Sequence, residues 1–155
     1  MLVSIPASAA LLDDLAAGRR AGPVTGFAAT DSLVDEIGDA EEAERAATVY
    51  ASIVAWTGDG RRRVVVVTAP DTMVAEASGV EAESSGQVAL KEFAPRDVVA
   101  YYAEDPAAAG ESAALAERIR GLSLDEAWET PGVTDHLARW ELLWFGPGEI
   151  ATVIA

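Results

Sequence analysis

The sequence predicts an α/β protein, an α+β sandwich in which helices pack on a mixed β-sheet of about five to six strands. Short apolar or β-branched runs, which favour strands, alternate along the chain with segments whose apolar residues recur at helical spacing. The first two strands flank a helix, so we expect the sheet to be built from βαβ-like units. No linker rich in Pro, Gly or Ser divides the chain, and we therefore expect one globular domain over residues 1–155.

The first half of the chain contains six predicted elements. They are a strand at residues 2–5, a helix from near Pro6 to Gly18, a strand at residues 24–28, a short helix capped by Thr30 and ending at Gly38, a long helix from a cap at Asp39 to Trp56, and a strand at residues 63–68. The caps are residues whose side-chain oxygens accept bonds from the free N–H groups of a first turn. The run Val64–Val67 is typical of a central strand covered on both faces.

The second half is less regular. We expect a loop over residues 71–86, which could hold a short strand at residues 73–77, and two strands after it, at residues 88–93 and 98–102. Two helices follow, one capped by Asp105 and one opened by a Ser123/Glu126 capping box. The chain then forms a strand at residues 139–145 and a closing helical stripe at Ile150, Val153 and Ile154. Residues 135–145 fit both a helical stripe and strand alternation, and their aromatic density favours the strand.

Composition excludes several functions. Twenty-six acids against eleven bases give a net charge of −15, whereas a nucleic-acid surface needs clustered Lys and Arg. An acidic mimic that blocks a basic protein is an alternative, although such charge commonly secures solubility. Without cysteine the chain has neither disulfides nor a cysteine nucleophile. We expect a soluble, cytoplasmic protein, because the N-terminal residues have neither a basic leader nor an apolar run of membrane-span length.

Catalytic candidates are few. Asp135 beside His136, the only histidine, could form an acid/base pair, but adjacent residues rarely face each other, so we expect a surface histidine whose neighbour caps a turn. Ser112 lies in the nearest approach to a nucleophile elbow, Gly110–Ala114, which lacks the final glycine. The spacing of acids and histidine fits no metal motif, and we expect no metal and no cofactor.

The only basic run, Arg61-Arg62-Arg63, follows Gly58-Asp59-Gly60. Glycines and basic residues can hold a phosphate, but a phosphate loop follows a strand and precedes a helix, and here the order is reversed. We therefore expect a helix C-cap, with the arginines extending outward from the start of a strand.

Aromatic residues supply the binding candidates. Trp140 and Trp144 would share one face of a strand over residues 139–145, as core residues first and as a platform for a ligand or partner second. Tyr101 and Tyr102 must point to opposite faces of their strand, so one is expected in the core and the other at a rim.

Several motifs carry a resemblance to a known family. They are Val3-x-Ile5-Pro6-Ala7, Arg61-Arg62-Arg63-Val64-Val65, Asp135-His136, Glu141-Leu142-Leu143-Trp144-Phe145 and Glu149-Ile150. Together they resemble a family of uncharacterised actinobacterial proteins, a domain of unknown function, over most of the chain. In that family the histidine leads almost directly into the Leu-Leu-Trp strand, whereas here Leu137–Trp140 intervene. The resemblance implies a shared lineage and fold and assigns no catalytic residue.

The expected function is thus non-catalytic. We expect a domain that binds a protein partner or a small molecule, but neither nucleic acid nor a membrane. The alternative is a small hydrolase or transferase that uses His136 as its acid or base, with Asp135 beside it.

Overall fold

The computed structural model describes residues 1–155 as a seven-stranded sheet with eight α-helices. The strands are β1 (Leu2–Pro6), β2 (Val24–Phe27), β3 (Arg63–Thr68), β4 (Val74–Glu76), β5 (Gln87–Leu90), β6 (Val98–Ala103) and β7 (Leu143–Phe145). The helices are α1 (Ala9–Ala16), α2 (Asp31–Ile37), α3 (Ala40–Asp59), α4 (Val80–Ser85), α5 (Ala109–Ile119), α6 (Leu124–Glu129), α7 (Val133–Arg139) and α8 (Ile150–Ile154). The α+β class is confirmed.

The sheet itself differs from the prediction. Its order is β4-β5-β2-β1-β3-β6-β7, and every neighbouring pair is antiparallel. A mixed sheet of five to six strands built from βαβ-like units was therefore wrong. Because β1 pairs antiparallel with both β2 and β3, those two strands run parallel to each other, but β1 lies between them.

Helices cover both faces of the sheet. On one face, α1 and α8 pack through Leu12, Leu15 and Val153 against alternate residues of β1, β3 and β6. On the other face lies α3, whose alanines recur every four residues at Ala43, Ala47 and Ala51 and face the sheet. Because these side chains are small, they add little bulk between the sheet and α3. Its opposite side carries larger residues that contact α5, α6 and α7.

Local capping explains the helix starts. Thr30 and Asp39 accept bonds from Leu33 and Glu42, and both bonds of the Ser123/Glu126 capping box form. The helix expected near Pro6 begins instead after Ser8, which caps it, because Pro6 completes β1.

The other corrections concern short elements. Residues 71–86 contain β4 and the helix α4, where a loop with one short strand was expected. The strand predicted at residues 139–145 is reduced to β7, because Arg139 ends α7 and residues 140–142 connect the two elements. A seven-residue helix and a three-residue strand are too short for periodicity to distinguish.

Candidate functional site

His136 is completely buried, with none of its surface exposed. It lies on α7, and its ring packs against Trp56 of α3 with a centroid distance of 5.0 Å. The expectation of a surface histidine was therefore wrong. Asp135 is exposed, and the imidazole instead forms a hydrogen bond with Glu104 and lies close to Glu111.

Glu104 is the centre of this buried cluster. It directly follows β6, and its Oε2 accepts a bond from His136 Nε2 at 2.5 Å and one from Arg62 Nη1 at 3.0 Å. Its Oε1 accepts the hydroxyl of Ser112 on α5 at 2.5 Å. The cluster therefore joins the ends of β3 and β6 to α5 and α7, four segments that are far apart in the sequence.

Arg62 is also fixed on several sides. Only 2% of its surface is exposed; its Nε donates to Ser52 and its Nη1 also donates to the backbone oxygen of Trp140. Its guanidinium lies 5.7 Å from the centre of the Trp56 ring, within range of a cation–π contact. Burial lowers the pKa of this guanidinium, and the charge of Glu104 opposes that effect. The expectation that this arginine extends outward was wrong.

The outer side of the cluster is formed by Glu111. Its carboxylate accepts two bonds from Arg139 Nη1, at 2.8 and 2.9 Å, and one from the indole N–H of Trp140 at 3.3 Å. His136 Nδ1 lies 3.3 Å from Glu111 Oε1 without forming a hydrogen bond. The pKa of Glu111 is lowered, mainly by the bond from Trp140 and further by His136 and Arg139.

This arrangement does not match that of an activated nucleophile. In such a site the imidazole contacts the hydroxyl and the carboxylate orients the imidazole, whereas here Glu104 separates Ser112 from His136. Both oxygens of Glu104 already accept hydrogen bonds, and His136 lines neither of two cavities of about 390 and 400 Å³. The cluster is therefore suited to holding segments together.

Sequence reasoning missed Glu104, and it singled out Arg62 only within a basic run that was expected to extend outward. The available signal was a charged residue close to the end of a predicted strand: Glu104 follows the strand predicted at residues 98–102 by two positions, and Arg62 directly precedes the strand predicted at residues 63–68. Such positions bring charges to one edge of a sheet, but the pairing of the two strands is not visible in the sequence.

The four aromatic candidates occupy different environments. Tyr101 lies in the core on the α1/α8 side, and Tyr102 is half-buried on the other face, as expected for adjacent strand residues. Trp140 is half-buried at the end of α7, so it shares no strand face with Trp144. Trp144 is 60% exposed on β7, and the expectation that it packs in the core was wrong.

The structure brings Tyr102 and Trp144 together. They are direct partners across the β6/β7 ladder, so their side chains lie on the same face. Both line a cavity of about 390 Å³, which we call the aromatic groove, between the first half of α3 and the sheet. Its other lining residues are Leu2, Ser4, Ala28, Ala29, Glu41, Glu44, Arg45, Ala47, Thr48, Val66, Val99 and Ala100.

A β-bulge contributes to the aromatic groove. The register of β3 against β6 shifts between Val66 and Val67, which face Ala100 and Val98, so Val99 has no partner. This extra residue is 40% exposed and lines the groove beside Ala100.

Two further observations concern cofactors and membranes. No group of three or more His, Asp or Glu residues is arranged so that it could hold a metal ion. None of the helices combines the length and the apolar character needed to cross a membrane.

Fold and site together define an acidic α+β protein with an antiparallel sheet, a buried Arg–Glu–His cluster and an open aromatic groove. The chain belongs to DUF6912, a family of unknown function, which it matches over residues 1–154. Membership of such a family, predicted from the sequence motifs, is thereby confirmed. No curated protein and no solved structure matches the chain.

Proposed function

We propose that the protein is a non-catalytic binding protein whose ligand, a small organic cation with an apolar part, occupies the aromatic groove. The observation that carries this proposal is the pair of aromatic rings, Tyr102 and Trp144, at an open cavity. A tryptophan that is 60% exposed contributes little to the core, and a partly apolar ligand would cover it.

The shape of the aromatic groove suits a small molecule. Ligand cavities commonly measure about 300–1,000 Å³, and the groove measures about 390 Å³. Nine of its fourteen lining residues are hydrophobic, and the hydroxyls of Ser4 and Thr48 are hydrogen-bonded to each other at 3.0 Å. Glu41, Glu44 and Arg45 add charged groups to this lining. Such a mixture of apolar side chains and a few polar groups suits a ligand with an apolar body and a polar or charged group.

The charges around the aromatic groove favour a cation. Glu41, Glu44 and Arg45 lie along it, and Arg45 is paired with Glu41 and Glu42 on its own helix. Glu44 has no such partner, so its carboxylate is available to a ligand. The faces of aromatic rings also attract cations, and the net charge of −15 disfavours anions.

Trp144 is held in place by the turn that follows it. A Cβ atom added at Gly146 would lie 3.4 Å from the indole, so the ring packs closely over this glycine. The backbone N–H of Gly146 donates to Glu149 at 2.6 Å, which fixes the turn. A positioned ring binds with a smaller entropic cost than a mobile one.

The proposal is tested by NMR titration with three matched probes: benzyltrimethylammonium, benzyl alcohol and benzoate. We expect benzyltrimethylammonium alone to shift the indole N–H of Trp144 and the backbone signals of Ala47 and Ala100 in a saturable manner. Trp144→Ala should weaken binding at least about fivefold, the loss of one cation–π contact. Trp128→Ala is the matched control, because Trp128 is also exposed but lies outside the aromatic groove.

Charge is tested separately. Glu44→Gln should weaken binding of the cation, whereas Glu81→Gln, at an exposed site on α4, should not. Equal binding of benzyl alcohol would refute the cationic part of the proposal. Absence of saturable shifts in the aromatic groove with all three probes would refute a small-molecule site there.

A further inference from the structure

A second cavity, of about 400 Å³, opens where β3 begins, and we call it the arginine pocket. Arg61, Arg62 and Arg63 all line it, together with Glu104 and Ser112. It shares no lining residue with the aromatic groove. The chain has eleven Lys and Arg residues, so three in one pocket form a local concentration of positive charge in an acidic protein.

The carboxylates in the arginine pocket are already engaged. Both oxygens of Glu104 accept bonds within the buried cluster, from Arg62, Ser112 and His136. Asp105 accepts the backbone N–H of Ala107 as a helix cap. Glu104 is therefore committed to the buried cluster, whereas the cap hydrogen bond leaves the charge of Asp105 in place and no ion pair joins Asp105 to an arginine.

Arg63 has an unsatisfied donor. Its Nη2 donates to Asp59 at 2.8 Å, but its Nε is buried and has no hydrogen-bond partner, although only 4% of the residue is exposed. A buried N–H without an acceptor is unfavourable, and few are found in native proteins. This donor indicates that an acceptor belongs beside Arg63.

Arg61 lies on the exposed side of the same pocket. Its guanidinium contacts only backbone oxygens, those of Ile154 at 3.4 Å and Ala155 at 3.1 Å. Burial, and after it the nearby charge of Arg63, lowers the pKa of Arg61, whereas Asp59 raises it. Both residues line the pocket, and an anion bound there would stabilise both positive charges.

We infer that the arginine pocket binds a small oxyanion, the carboxylate or phosphate group of a small molecule, between Arg61 and Arg63. Guanidinium groups bind both anions through paired N–H donors, so the pocket chemistry is common to the two. The inference is independent of the aromatic groove, and either site can fail without the other.

The test follows the side-chain Nε–H signals of Arg61 and Arg63 by NMR during titration with inorganic phosphate and, separately, with acetate. Sodium chloride at equal ionic strength is the control for screening. We expect a saturable shift of the Arg63 signal with at least one of the two oxyanions. Saturation with phosphate alone assigns a phosphate group, with acetate alone a carboxylate, and with both a general oxyanion site.

Variants test the role of each arginine. Arg61→Gln removes an exposed charge and should leave the fold intact. It should weaken oxyanion binding about tenfold, because one charge-assisted hydrogen bond is lost. Arg19→Gln is the matched control, because Arg19 is exposed and lies outside the pocket. Arg63→Lys keeps the charge but removes Nε, and we expect it to weaken binding as well.

Three results would overturn the inference. They are shifts that sodium chloride reproduces, binding that Arg61→Gln leaves unchanged, and the absence of saturation by either oxyanion below about 10 mM.

Discussion

Replacing Glu104 by alanine should destabilise the protein strongly, because Arg62 would keep its charge in the interior without a counter-ion. Glu104 accepts bonds from Arg62 at 3.0 Å and from Ser112 and His136 at 2.5 Å each. Only 2% of Arg62 is exposed, so water cannot replace the lost carboxylate without rearrangement. Breaking a buried ion pair by removing one partner costs about 3–5 kcal/mol. Since a typical domain is stable by about 5–15 kcal/mol, Glu104→Ala should lose a large share of its stability.

Urea denaturation, followed by tryptophan fluorescence and extrapolated to water, measures this loss. The control is Glu117→Ala, which removes an ion pair with Arg120 in which both side chains are 70% exposed. Exposed pairs contribute about 0–1 kcal/mol, so the control should remain close to the parent.

A double variant separates the buried charge from the lost hydrogen bonds. Arg62→Met combined with Glu104→Gln removes both charges and should be less destabilised than Glu104→Gln alone. The explanation is wrong if the free energy of unfolding of Glu104→Ala lies within about 1 kcal/mol of that of the parent. It is also wrong if the double variant loses as much stability as the sum of its single changes.

Two further predictions concern the tryptophans and a helix cap. Trp56 is completely buried, and Trp56→Ala should lower the free energy of unfolding by about 3–5 kcal/mol. Trp144 is 60% exposed and buries no more than about 100 Å² of its side chain, so Trp144→Ala should lower it by less than about 2.5 kcal/mol. Equal losses for the two variants in urea denaturation would contradict this prediction. The hydrogen bonds between Ser123 and Glu126 lower the pKa of Glu126 in the folded protein. This cap therefore contributes its full stability above the pKa of Glu126 in the unfolded chain, and the contribution is lost as the pH falls through the lower pKa of the folded protein. An NMR titration should show that lowered pKa in the parent and a value closer to the ordinary one in Ser123→Ala.

The sequence predicted those elements that are determined by nearby residues. The caps at Thr30, Asp39 and Ser123 and the strand Arg63–Thr68 were read correctly, because a cap involves residues three positions apart and a β-branched run is local. The direction of the strands was not predictable in this way. Alternation reports which face a residue occupies but not whether the neighbouring strand is parallel or antiparallel.

The candidate site depended on distant contacts, which the sequence does not display. His136 was recognised as a candidate, but its partners Glu104 and Glu111 lie 32 and 25 positions earlier. The prediction for Trp144 failed for a different reason. Strand alternation places this residue on the same sheet face as buried Ala100, but α3 packs mainly against β1, β2 and β3 and leaves Trp144 of β7 60% exposed.

The central position of β1 has a consequence for how the chain folds. This strand comes first in the sequence, yet one side of its ladder is completed only by Arg63–Thr68. Pairing strands across such a separation costs loop-closure entropy and slows folding, which for sheets rich in distant pairs takes milliseconds to seconds. During synthesis, β1 would therefore expose unpaired backbone groups until β3 has emerged from the ribosome, and this interval is when the nascent chain is most prone to associate through its strand edges.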